Sequence, residues 1–111
     1  MDINKNTPVE APGAGADKKV KFKLDEIGYT DLDGQRIGIY FDRKEFGNLL
    51  YFHTPTIEFE EIARIIHANG DAECTREDLD TISVIVDAGS KYNPRTKEAV
   101  KEYINNLKGG Q

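Results

Sequence analysis

The run His67-Ala68-Asn69-Gly70-Asp71-Ala72-Glu73-Cys74-Thr75-Arg76-Glu77-Asp78 lies between two stretches of helical periodicity. How it is read decides how the chain folds. Upstream, Phe59, Ile62, Ala63 and Ile66 fall at i, i+3, i+4 and i+7 behind a capping threonine, Thr56, which is the pattern of a helix with one buried face. Asn69-Gly70 ends that helix, because glycine adopts the left-handed conformation of a C-terminal residue without steric cost. Thr75 then has Asp78 at the third helical position, a capping-box spacing, and Leu79, Ile82 and Val86 follow on one face until Gly89. The run therefore predicts a helix stop, a short extended link and a capped helix.

Outward from this centre, the N-terminal side changes period. From Lys19 to Asp25 the apolar Val20, Phe22 and Leu24 alternate with Lys19, Lys21, Lys23 and Asp25, as in a half-buried strand. Asp33-Gly34 suits a tight turn, and Ile37, Ile39 and Phe41 alternate after it, so a β-hairpin or small meander is expected over residues 19–41. Asp42 stands three residues before Glu45 and opens a helix carrying Phe46, Leu49, Leu50 and His53, although Gly47 weakens it. Thr54-Pro55-Thr56 breaks the chain before the next helix. On the C-terminal side, Asn93-Pro94 pairs a capping side chain with a residue preset for the first helical turn, and Val100, Tyr103, Ile104 and Leu107 share a face. The expected class is α+β: a small antiparallel β-hairpin or meander packed against three to four helices.

With 111 residues, 38% hydrophobic and 32% charged, the chain suits one small globule with a modest core. Residues 1–18 hold Pro8, Pro12, Gly13 and Gly15 without an apolar period and read as a disordered tail, leaving residues 19–108 as a single α+β domain. A lone cysteine, Cys74, permits no internal disulfide and points to a reducing compartment. No apolar run approaches the ~20 residues needed to span a bilayer, and Met1-Asp2-Ile3-Asn4-Lys5 lacks the apolar stretch of a secretory signal. A cytoplasmic protein without a membrane partner is expected. The net charge of -5 argues against direct binding of nucleic acid, which depends on cationic side chains neutralising phosphates.

The run 67–78 resembles an EF-hand calcium loop. Asn69 and Asp71 fall on the third and fifth positions, and Cys74 takes the apolar eighth. His67 stands in place of the first aspartate, Ala72 in place of the glycine of the sharp turn, and the shorter Asp78 in place of the bidentate glutamate. These three departures remove the basis for tight calcium binding, so no metal and no cofactor are expected. A thiolate–imidazole enzyme built from Cys74, His53 and His67 is the catalytic alternative. Asp71, Glu73, Glu77 and Asp78 beside the thiol favour its protonated form, and no nucleophile elbow, P-loop, dinucleotide fingerprint or HExxH run accompanies it. The expectation is a protein that is not an enzyme.

Charge is uneven along the chain. Between Ile57 and Gly89 stand Glu58, Glu60, Glu61, Asp71, Glu73, Glu77, Asp78, Asp80 and Asp87 against Arg64 and Arg76, whereas the final helix and the residues leading into it carry Lys91, Arg95, Lys97, Lys101 and Lys108 against Glu98 and Glu102. An acidic helical pair would steer onto a basic protein surface, and Glu58, Glu61, Asp78 and Asp80 are the candidate partner-binding residues. The run Glu45-Phe46-Gly47-Asn48-Leu49-Leu50-Tyr51, Thr54 and Phe59-Glu60-Glu61-Ile62-Ala63-Arg64-Ile65 resembles small uncharacterised proteins of phages and prophages. That resemblance implies a setting of particle assembly or host-factor binding and assigns no residue a role. The functional expectation is a non-catalytic protein-interaction module, with a homodimer through an open sheet edge as one arrangement. An acidic decoy that occupies a nucleic-acid-binding surface is the alternative among binding proteins.

Overall fold

The computed structural model describes residues 18–109. The tail expected over residues 1–18 lies outside the described residues except for Lys18. In chain order the elements are β1 (Val20–Lys23), a 3-10 turn (Leu24–Glu26), β2 (Gly28–Thr30), β3 (Arg36–Gly38), α1 (Arg43–Phe52), α2 (Ile57–Asn69), β4 (Asp71–Cys74), α3 (Arg76–Gly89) and α4 (Pro94–Gly109). The class is α+β, with four helices and two small antiparallel sheets.

The helix ends are set by the local chemistry expected of them. The Asp42 carboxylate accepts the Lys44 and Glu45 amides, Thr56 accepts Phe59 N–H, and Asn93 accepts Thr96 N–H. Thr75 and Asp78 form the full capping box, each side chain taking the other's backbone N–H at 3.1 and 3.0 Å. Gly70 ends α2 at φ 82°, its N–H bonded to the Ile66 carbonyl. The last helix continues to Gly109, one residue past the expected domain limit at 108.

Strand pairing departs from the expected sheet over residues 19–41. The hairpin β2–β3 forms, with Gly28 opposite Gly38 and Thr30 opposite Arg36. Its loop is longer than a two-residue turn: Asp31 Oδ1 accepts the Asp33 and Gln35 amides, and Gly34 takes φ 83°. The first strand does not join this hairpin. β1 pairs instead with β4, the extended link of the deciding run, in the register Val20↔Cys74, Lys21↔Glu73, Phe22↔Ala72, Lys23↔Asp71. The physical reason is a match of faces: Phe22, Ala72 and Cys74 all turn inward, while the Lys21 ammonium lies 3.7 Å from Asp71 and 3.8 Å from Glu73 on the outer face. A further bond, Leu24 N–H to the Gly70 carbonyl at 3.0 Å, carries the pairing past the strand end. The Lys23 N–H is taken by the Tyr103 hydroxyl of α4, which in turn donates to Glu26.

One core joins these parts. Phe22, Phe46, Leu50, Ile66, Leu79 and Ile104 are all buried in it. Phe22 meets Phe46 and Tyr103 ring to ring, and Phe46 stands edge-on to Phe41. Helix α1 lies closely along α2, and Gly47 makes this approach fit: a Cβ there would fall 2.5 Å from His67 Cβ and 2.7 Å from its Cα. The glycine that weakens α1 by propensity is thus required by packing.

Candidate functional site

The charged residues singled out from sequence do not form one surface. Glu58 and Glu61 are exposed on α2, and no ion pair or hydrogen bond engages their carboxylates among the described residues. Asp78 is half-buried and engaged in the capping box of α3. Asp80 is bound to the Lys108 ammonium of α4. Helices α3 and α4 pack on each other, and across that seam Lys101 also pairs with Asp87 at 3.2 Å, while Lys97 donates to the Asp87 carbonyl. The charge separation seen along the chain is therefore partly neutralised in space. Sequence counting cannot show this, because the pairing partners stand ten to thirty residues apart.

Cys74, His53 and His67 have separate surroundings. The Cys74 side chain is fully buried on β4, its Sγ 3.7 Å from the Ala72 carbonyl. Burial, followed by the nearby Asp78 and Glu73 carboxylates, raises its pKa from 9.0 to about 12, so the thiol stays protonated at neutral pH. His53, at the C-terminal end of α1, donates from Nδ1 to the Leu49 carbonyl at 3.0 Å, and its ring lies against Gly89 of α3. His67 sits on α2 against Gly47. Among the described residues no group of three or more His, Cys, Asp or Glu side chains is placed to hold a metal ion. In the calcium-like run, Asp71 and Glu73 lie on a strand facing Lys21, and Asp78 takes the Thr75 amide.

The surface feature that sequence reading missed is apolar. Phe52, at the end of α1, is 76% exposed, Ile57, at the start of α2, is 82% exposed, and Val84 on α3 is 65% exposed. Between them the turn His53-Thr54-Pro55-Thr56 lies over α3 and encloses a cleft of about 270 Å³ lined by His53, Pro55, Glu77, Asp80, Val84 and Ile85 among others. The turn is held in shape by Thr54, whose hydroxyl donates to the Thr56 carbonyl at 2.8 Å, and by the His53 bond back to α1. Its sequence signal is a break in period. Val84 falls outside the Leu79, Ile82, Val86 face, and Ile57 precedes the buried face of α2 that begins at Phe59.

A second depression lies between α1 and α2, where Gly47, Asn48, Tyr51, Ala63, Arg64 and His67 border about 360 Å³. The Arg64 guanidinium there stacks over the Tyr51 ring at 5.3 Å and also bonds Glu60, so its charge is already engaged within the chain. Among the described residues no helix is long and apolar enough to cross a membrane. Comparison of the chain with protein-family models, with curated proteins and with solved structures finds no match.

Proposed function

We propose that this chain is a small non-catalytic protein-interaction module of phage or prophage type, acting on a protein partner. The support is a single observation: three large apolar side chains stand in solvent, Phe52 and Ile57 at the two ends of the α1–α2 turn and Val84 in the cleft that this turn makes with α3. Single exposed apolar residues are normal on any protein, but several at a turn that forms a concavity are the anatomy of a recognition surface. The mobile-element setting rests on the resemblance of the runs 45–51 and 59–65 described above. The buried, protonated Cys74 thiol and the separate placement of both histidines give the alternative enzyme little to work with.

Affinity capture from the source cell by the full chain, followed by mass spectrometry, tests the module reading. One protein retained reproducibly and in stoichiometric amount is the expected result. Retention of nothing, together with turnover of any substrate that Cys74→Ala abolishes, would replace the module with the enzyme.

A further inference from the structure

We infer that the cleft between the α1–α2 turn and α3 is a docking site for a basic segment of a partner protein that inserts one bulky apolar side chain. This rests on the interaction-module reading and names the partner's chemistry. The size of the cleft comes first. At about 270 Å³ it falls just below the range of roughly 300–1,000 Å³ typical of small-molecule pockets, and suits a single side-chain anchor. Pro55, Val84 and Ile85 line it, and the exposed Phe52 and Ile57 stand at the two ends of the turn. A flat apolar neighbour would satisfy only the rim, whereas a protruding side chain also fills the hollow.

Charge selects the rest of the partner. Glu77 and Asp80 lie in the cleft wall, and Glu58 follows Ile57 directly. No ion pair or hydrogen bond engages the Glu58 and Glu77 carboxylates among the described residues, and no lysine or arginine lines the cleft. Asp80 is bound to Lys108, so the uncompensated negative charge in the cleft wall sits on Glu77. An apolar hollow with an unpaired carboxylate, Glu77, in its wall is complementary to an apolar anchor followed by lysine or arginine. It disfavours the acidic α2 and α3 faces of a second copy, which would bring like charges together.

The test uses the full chain and three synthetic peptides of one pattern: lysine with leucine, glutamate with leucine, and lysine with serine. Binding is followed by amide chemical shifts. The lysine–leucine peptide should shift the amides of residues 52–57 and 77–85. The other two should not bind, and added salt should weaken the complex. Val84→Asp and Ile57→Asp should each lower affinity about tenfold or more while leaving the thermal midpoint nearly unchanged. Both residues are exposed, and an aspartate at the first position of α2 suits the helix dipole. Shifts centred elsewhere, equal binding of the lysine–serine peptide, or full affinity in both aspartate variants would overturn the proposal. So would a doubling of the mass in solution that Val84→Asp abolishes, because the occupant would then be a second copy. A cellular partner that still binds both variants refutes this cleft and leaves the module reading intact, which separates the two failures.

Discussion

Replacing Gly47 by alanine sets two effects of opposite sign against each other. Helix propensity alone makes a mid-helix glycine-to-alanine change stabilising by about 1 kcal/mol. In this fold the added methyl would lie 2.5 Å from His67 Cβ, 2.7 Å from its Cα and 2.8 Å from its backbone nitrogen. Carbon atoms prefer separations of roughly 3.5–4.0 Å, so α1 and α2 would have to part by about 1 Å along their seam. Two of the three obstructing atoms are backbone, and no side-chain rotation relieves them. Overpacking of this kind costs about 3 kcal/mol, the upper end of the usual range, and leaves a net loss near 2 kcal/mol after the propensity gain. With a urea slope of about 1 kcal/mol/M, the low end for small domains, the midpoint followed by far-ultraviolet circular dichroism should fall by about 2 M. Gly109→Ala is the matched control, since nothing lies within 4 Å of a Cβ there. A Gly47→Ala midpoint equal to or above that of the parent chain, at unchanged slope, would refute the close approach of the two helices.

Four further outcomes follow from the same packing. Thr75→Ala removes the acceptor for the Asp78 amide and should cost about 1 kcal/mol, read from the same urea titration, with Asp78→Ala adding less than its own single effect because the two form one box. Phe22→Ala empties a fully buried site shared with Phe46 and Tyr103 and should cost about 3–5 kcal/mol, leaving little folded protein at 37 °C by circular dichroism. Cys74 should resist alkylation by iodoacetamide at pH 8 until denaturant is added; rapid labelling of the native chain would contradict its burial. The folded thiol holds its proton up to about 12 whereas the unfolded thiol loses it near 9.0, so the folded state binds more protons between these values and stability falls as pH rises through that window. Tyr92 and Tyr103, both raised by burial from 10.0 to about 12, add to this alkaline loss.

The helices were legible because their signals are local. Asp42, Thr56, Gly70, Thr75 and Asn93 each act on backbone groups within four residues, so their chemistry is written beside the element they start or end. The partner of β1 was not legible in that way. Asp71-Ala72-Glu73-Cys74 is only four residues long and rich in types that strands avoid, and its stability as a strand comes from β1, some fifty positions away. A trace was present nonetheless, in Ala72 and Cys74 alternating with Asp71 and Glu73 against the opposite alternation of Lys21 and Lys23 around Phe22. For the candidate site, acidity was visible but its neutralisation was not. Asp80 looks free for a partner until Lys108 is found beside it, whereas the engagement of Asp78 was already written in its spacing from Thr75. Gly47 illustrates the same limit from the other side, since a residue that weakens α1 in isolation is the one that lets it lie against α2.

The pairing of β1 with β4 has a consequence for synthesis on the ribosome. Phe22 leaves the exit tunnel long before Ala72, its cross-strand neighbour fifty residues later, has been added. At translation rates of roughly 5–20 residues per second, the nascent polypeptide carries that unsheltered aromatic for several seconds. The first strand must wait for the fourth before Phe22 gains its cross-strand cover.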